Sequence, residues 1–239
     1  LKSSSPPVDL QMHLGVIPDG NRRYAKEEGI SKKEAYREAK EVIKRIGDNI
    51  SGAGDRDIKK KVDEITIYLL SEDNLKREEE DLNTLFELLE EYLEDITGRY
   101  HDNGFRLNWA STRPDALPEV HREKLRELEE RYDSGEKKLN LLISYSGKSD
   151  ILQASEEISS NGEEFSREKM LEHLQIGSNI DFVIRTGDNP TRECLSDFPI
   201  WNASYAEYFH IKKHFPDLEP EDVEEAFEHF NKLRRKKGK

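Results

Sequence analysis

The chain has 239 residues, room for one large domain or two small ones, and its 34% hydrophobic and 37% charged residues mark it as polar but globular. A net charge of −13 excludes a general nucleic-acid binder, and no apolar run approaches the roughly 20 residues that a membrane span needs. The single cysteine, Cys194, excludes an internal disulfide and fits a reducing, cytoplasmic setting. The stretch Leu1 to Pro7 is rich in Ser and Pro and has no apolar core. Residues 1–11 are therefore expected to be a flexible lead-in and not a signal peptide.

Met12 to Ile17 is a short apolar strand that runs into Pro18-Asp-Gly-Asn-Arg-Arg23. Gly20 lets the backbone approach a ligand. Arg22 and Arg23 are forked, permanently charged donors suited to phosphate oxygens. Asp19 is a hard oxygen ligand of the kind Mg²⁺ uses while it also holds substrate phosphates. Two readings stand side by side at this point: a metal–diphosphate site, or a turn followed by two solvated arginines.

Ser31 and Glu34 have capping-box spacing, and Ala35, Ala39, Val42, Ile43, Ile46 and Ile50 recur at helical intervals, which predicts an amphipathic helix over 31–50. Glu64 to Leu70 predicts a buried strand that leads into a second polar cluster, Ser71 to Arg77, containing Asn74. A long helix follows over 79–97, with Leu82, Leu85, Phe86, Leu89, Tyr92, Leu93 and Ile96 on one face. Phe105 to Ala110 is a third strand, Leu117 to Arg131 a helix charged almost all round, and Lys138 to Ser144 a fourth strand. Helices are expected at Asp150 to Ser159 and at 166–175. A fifth strand, Ile180 to Ile184, ends in a third polar cluster, Arg185 to Asp188. Phe198 to Phe209 is aromatic-rich, with Trp201, Tyr205 and Phe209 expected in a core or a dimer face. Glu219 to Arg235 is a terminal helix, and 234–239 a solvated basic tail. His210 and His214 are four apart on a possible helix, a weak zinc spacing.

Strands alternating with helices predict a single α/β domain over 12–233. Its mostly parallel sheet of about six strands would be covered on both faces by helices. Ligands in such folds bind beyond the carboxyl ends of the strands. One sheet would bring the clusters at Asp19, Ser71 and Arg185 together, which favours the diphosphate reading.

Read in order, these clusters resemble the cis-prenyltransferase family, the undecaprenyl diphosphate synthase group. His13 to Ala25 resembles the family's first signature and Tyr68 to Arg77 its Ser-x-x-Asn-x-x-Arg motif. Ser144 to Ile151 resembles its Tyr-Gly-Gly-Arg region. Asp181 to Gly187 with Leu195 to Phe209 resembles its last signature. The resemblance implies condensation of an allylic prenyl diphosphate with isopentenyl diphosphate, assisted by Mg²⁺, to form a cis double bond. It also implies a parallel sheet with an apolar tunnel, a homodimer, and contact with a membrane only through the lipid product. By position, Asp19 and Glu207 would be metal ligands, and Gly20, Arg22 and Arg23 would cradle the allylic diphosphate. Asn21, Ser71 and Asn74 would lie at the reacting carbons. Arg77 would position the diphosphates, while Arg185, Ser196 and, in register, Arg192 would bind isopentenyl diphosphate.

The chain departs from the family pattern at both substrate sites. The Gly-His-x-x-Gly segment is missing, and Ala35 or Tyr36 stands where its histidine would be. Leu75 replaces a Trp and Glu78 a Pro. The run Arg185-Thr-Gly-Asp-Asn189 replaces Arg-Thr-Gly-Gly-Glu, and a few extra residues precede Ser196, so that Arg192 is the second arginine or that arginine is absent. Asp188 would repel a phosphate unless it meets a metal. Three functions remain open: head-to-tail elongation, non-head-to-tail joining of two allylic units, and a non-catalytic partner subunit. The retained Asp19 speaks against the last.

Overall fold

The computed structural model describes residues 12–51, 62–188 and 194–236. The elements in chain order are β1 (Met12–Ile17), α1 (Asn21–Glu28), α2 (Lys32–Ser51), β2 (Val62–Ser71), α3 (Glu79–Asp102), β3 (Phe105–Ala110), α4 (Glu119–Arg131), β4 (Lys137–Tyr145), α5 (Gly147–Ser160), α6 (Arg167–His173), β5 (Phe182–Thr186), β6 (Glu207–Ile211) and α7 (Pro220–Lys236). The expected lead-in lies outside the described residues, as does Arg192. The terminal helix runs to Lys236, into the stretch expected as a tail.

All six strands are parallel, in the order β3-β4-β2-β1-β5-β6. β1 is buried along its whole length because it sits at the centre of a sheet covered on both sides. Its alternate residues face different cores. Leu14 and Val16, level with Ile65, Ile67, Phe182 and Ile184, join the core under α2, α3, α4 and α7. Gly15 faces the other side, where a Cβ would stand 2.8 Å from the Phe198 ring, so only glycine lets that ring close on the strand. Val183, Leu142, Tyr68 and Tyr145 line this second face. α5 and α6 add a small cluster of their own beside it, built on Ala154, Ile158 and Met170.

Two elements differ from expectation for physical reasons. β5 starts two residues later than the apolar run and includes Arg185, whose backbone is level with Ile17 on one side and His210 on the other. The aromatic block divides: residues 198–205 are turns packed on the second face, while Glu207–Ile211 becomes the edge strand β6. His210 is therefore in a strand, and the helical His210–His214 spacing does not exist. Among the described residues no helix is long and apolar enough to cross a membrane.

α2 and α3 pack side by side, joined outside by a ladder of ion pairs: Lys33–Glu87 and Arg37–Glu91 at 3.2 Å, Lys40–Asp95 at 3.0 Å, and Arg99–Asp48 at 2.6 Å. Each such exposed pair contributes only about 0–1 kcal/mol. Burial of Ile43, Ile46, Leu93 and Ile96 beneath them dominates, at about 1.5–3 kcal/mol per side chain.

Candidate active site

In this sheet β1 is joined to β2 on one side and to β5 on the other, which makes its carboxyl end the point where the strand order reverses. The three polar clusters meet there. They line a cavity of about 380 Å³ that contains Asp19, Gly20, Asn21, Arg22, Arg23, Ser71, Asn74, Arg77, Arg185 and Ser196. Four arginines face two aspartates, Asp19 and Asp73, a local cationic excess in an acidic protein. Glu207 is not among them. It opens β6 level with Phe182, three residues before Arg185, so about 10 Å of strand separates it from the cleft. Asp19 and Glu207 of one chain do not hold one ion; Glu207 lines a different groove, with Trp201 and Tyr205.

Each cluster is held by its own local device. Gly20, at φ 103°, turns the chain from β1 into α1, and a Cβ there would lie 2.6 Å from His214 Nδ1 and 3.0 Å from its Cα. No side chain caps α1, so the amides of its first turn are open to an anion. The Asp19 backbone is bracketed by Thr186: Asp19 N–H donates to Thr186 Oγ1, and that hydroxyl donates to the Asp19 carbonyl, both at 2.9 Å. Ser71 and Asn74 form a reciprocal cap, in which Asn74 N–H donates to Ser71 Oγ at 3.2 Å and Ser71 N–H donates to Asn74 Oδ1 at 3.3 Å.

Arg185 is the centre of the charge network, at 1% exposure. Its Nη2 donates to Asp19 Oδ2 at 2.7 Å, and its Nη1 donates to Ser196 Oγ at 2.6 Å and to the Cys194 carbonyl. Ser196 and Asp197 take φ values of 50° and 64°, strained for residues with a Cβ, and the strain aims Ser196 at the guanidinium. Asp197 is anchored in turn, accepting from Ser146 Oγ and from the Lys148 amide at the start of α5. Partial burial pushes the Asp19 carboxyl up, but the hydrogen bond and charge of Arg185, helped by the Gly20 amide and Arg23, outweigh it and hold the group below the usual carboxylate range. Asp19 therefore stays ionised. Its carboxylate, with substrate phosphates, is the oxygen donor set that Mg²⁺ takes, so the residues present fit that ion.

Three buried polar atoms of cleft residues, Asn21 Oδ1, Arg23 Nε and Arg185 Nε, have no hydrogen-bond partner among the described residues, and Asn21 Oδ1 is the one acceptor among them. Such atoms cost free energy unless a ligand or water pairs them. Of the two candidates for the histidine position, Ala35 is fully buried in the core, whereas Tyr36 lines the cleft, where its hydroxyl accepts from Arg77 at 3.4 Å. Tyr36 and Tyr68 also lead into an apolar pocket of about 80 Å³ between α2 and α3, walled by Ala39, Ile43, Leu85, Leu88, Leu89 and Tyr92. In the sequence Tyr68 entered only as the first residue of the second motif, and Tyr36 only as one of two candidates for the histidine position. Tyr36 is one helix turn from Lys40 and two from Ile43, and that offset from the core face was the signal available. An engineered cavity of about 150 Å³ takes a benzene, so this pocket, about half that size, takes an isoprenyl-sized group only once its walls part. Asp188 is not among the residues that line the cavity; its carboxylate is 2.8 Å from the Nε of Arg23, which does line it.

A family model described as "Putative undecaprenyl diphosphate synthase" matches residues 17–238. A tritrans,polycis-undecaprenyl-diphosphate synthase (geranylgeranyl-diphosphate specific) of Pyrobaculum aerophilum is 30% identical over 251 residues, covering 99% of each chain. An isoprenyl transferase of Rickettsia typhi is 26% identical over 95% of this chain and 97% of its own. Among solved structures, lavandulyl diphosphate synthase from Lavandula x intermedia, in complex with dimethylallyl diphosphate, superposes with a TM-score of 0.80 at 21% identity, over 93% of this chain and 95% of that one. A probable undecaprenyl diphosphate synthase from Campylobacter jejuni gives 0.72 at 23% identity, over 91% and 94%. These two likenesses speak for the fold.

Proposed function

The chain belongs to the undecaprenyl diphosphate synthase family of prenyltransferases, and from that premise we propose that its reaction runs in the cleft at the carboxyl ends of β1, β2 and β5. The enzyme elongates an allylic prenyl diphosphate with isopentenyl diphosphate, head to tail and in cis, releasing diphosphate. The observation that carries the siting is the convergence of four arginines, an ionised Asp19 and an unpaired Asn21 Oδ1 at the mouth of an apolar pocket.

In this reading Gly20, Arg22, Arg23 and the open amides of α1 bind the allylic diphosphate, and Asp19 would hold Mg²⁺. The ion would offset the negative charge that gathers on the leaving diphosphate. The allylic C–O bond breaks with its electron pair on that group, the alkene of the second substrate forms the new C–C bond, and a proton passes from the isopentenyl unit to an oxygen of the departing diphosphate. Arginines already in place stabilise the separating charges without reorganising. Asn21, Ser71 and Asn74 are not bases at neutral pH, so they orient the reacting carbons and do not take the proton. Arg77, Arg185 and Ser196 bind the isopentenyl diphosphate. The α2–α3 pocket receives the hydrocarbon and keeps water from the developing cation. Product analysis tests the scheme. Chains that grow only when isopentenyl diphosphate is supplied are expected, whereas branched products from allylic substrates alone would overturn it in favour of non-head-to-tail joining.

A homodimer is also part of this reading. Tyr205 is 94% exposed beside a groove of about 810 Å³ lined by Ile151, Leu171, Ile180, Ile200, Trp201 and Phe230. An apolar patch of this kind marks an interaction face, and Glu207 lies on it. Phe209 is instead packed inside, 5.0 Å from the His229 ring. Tyr205→Asp is expected to shift the species in solution from dimer to monomer by light scattering. An unchanged mass would remove this face from the interface. The exposed Cys194, the one cysteine of the sequence and so in no internal disulfide, supports a cytoplasmic place, since reducing compartments keep thiols reduced.

A further inference from the structure

Three groups far apart in the chain meet behind the cleft. Glu27 is on α1, Asp188 follows β5 and His214 follows β6, and their donor atoms all lie within 4.8 Å of one another. His214 Nε2 is 3.0 Å from the Glu27 carboxylate, and Nδ1 is 3.5 Å from that of Asp188. The ring is 5% exposed and pressed against Gly20. Its Nδ1 is buried and makes no hydrogen bond among the described residues. The reaction described above gives none of these three residues a task.

We propose that Glu27, Asp188 and His214 hold a divalent transition-metal ion, distinct from the Mg²⁺ assigned to Asp19. One imidazole with two carboxylates is a donor set for zinc and its first-row neighbours, whereas Mg²⁺ takes oxygen ligands and keeps much of its water. Donors about 2.0–2.2 Å from an ion stand roughly 3.4 Å apart in a tetrahedral site. Glu27 and Asp188 are exposed, so rotation of their side chains closes the difference without moving the backbone. Among the described residues the only carboxylate oxygen near Nδ1 is Asp188 Oδ1, at 3.5 Å and without a hydrogen bond, and that same oxygen is 2.8 Å from Arg23 Nε.

The ion would fasten three segments to the cleft. Phe215 N–H, next to His214, donates to the Asp19 carbonyl at 3.0 Å, so the clamp reaches the turn that carries Asp19 and Gly20. It would also neutralise Asp188 and release Arg23 toward phosphate oxygens. That last consequence rests on the diphosphate reading of the cleft; metal binding does not.

Titration of the purified protein with Co²⁺ in excess Mg²⁺ tests the site without substrate. The expected result is one equivalent of Co²⁺ per chain with visible d–d absorption, displacement by Zn²⁺, and a higher Tm with either ion. The Glu27→Gln/Asp188→Asn double variant, changed only at exposed side chains, is expected to bind Co²⁺ at least about tenfold more weakly at an unchanged metal-free Tm. Glu27→Gln alone serves if the double variant is unstable. Asp19→Asn is expected to bind Co²⁺ as the unaltered chain does. No bound Co²⁺, equal binding by the carboxamide variants, or loss of binding in Asp19→Asn would each overturn the proposal.

Discussion

Asp19→Asn is expected to lower kcat by about 10³-fold, equivalent to roughly 4 kcal/mol of transition-state stabilisation. The substitution keeps the shape of the side chain and removes its charge. The amide can still accept from Gly20 N–H, which now reaches Oδ1 at 2.7 Å, so the turn survives. What is lost is the anionic oxygen pair for a metal. The buried guanidinium of Arg185 also loses its counterion, and a substrate diphosphate can supply one, so KM is expected to change far less than kcat. A variant whose kcat stays within about threefold of the parent would remove Asp19 from the chemistry.

The same variant has a pH signature. The folded carboxyl of Asp19 lies below its unfolded value of about 3.9. Its contribution to stability is therefore fully present above that value and disappears as pH falls through the folded pKa. Tm measured from neutral pH down into the acid range is expected to drop less steeply for Asp19→Asn than for the parent.

Arg185→Met is expected to lower the free energy of unfolding by about 3 kcal/mol. Breaking a buried pair by removing one partner costs about 3–5 kcal/mol. The lower end applies here because Asp19 is 31% exposed and keeps Gly20 N–H and Arg23. Ser196 and Asp197 lose the contact that holds their left-handed backbone in place. Arg185→Lys keeps the charge, but a single ammonium cannot span Asp19, Ser196 and the Cys194 carbonyl as the fork does, so it is expected to rescue only part of the loss. Urea unfolding measures both variants. A loss under about 1 kcal/mol for Arg185→Met, similar to that for a pair on the α2–α3 surface, would contradict the central place given to this residue.

Most of the fold was legible in the chain because apolar strands and amphipathic helices alternate. A parallel sheet then leaves little choice: residues at and just beyond the carboxyl ends of β1, β2 and β5 must emerge on one edge, and Asp19, Ser71, Asn74 and Arg185 do so. What periodicity could not show depends on long-range packing. β6 was hidden because its side chains are mostly half-buried, with no alternation of buried and exposed positions. The placement of Glu207 followed from β6, since a motif position says nothing about which end of a strand a residue occupies. The left-handed Ser196 and Asp197 carry no sequence mark, as glycine would have done. Ala35 and Tyr36 could not be ranked until the rotation of α2 was known. Glu27, Asp188 and His214 come from three separate segments, and only the folded chain makes them neighbours.

The measurement that tests the central claim most directly is incorporation of labelled isopentenyl diphosphate into extractable prenyl product by the purified chain alone, with allylic diphosphates of several lengths as starters. Incorporation that requires Mg²⁺ and falls with Asp19→Asn is the predicted result. No incorporation by the chain alone, restored on adding a second prenyltransferase subunit regardless of Asp19, would contradict it and make this cleft a support for catalysis elsewhere.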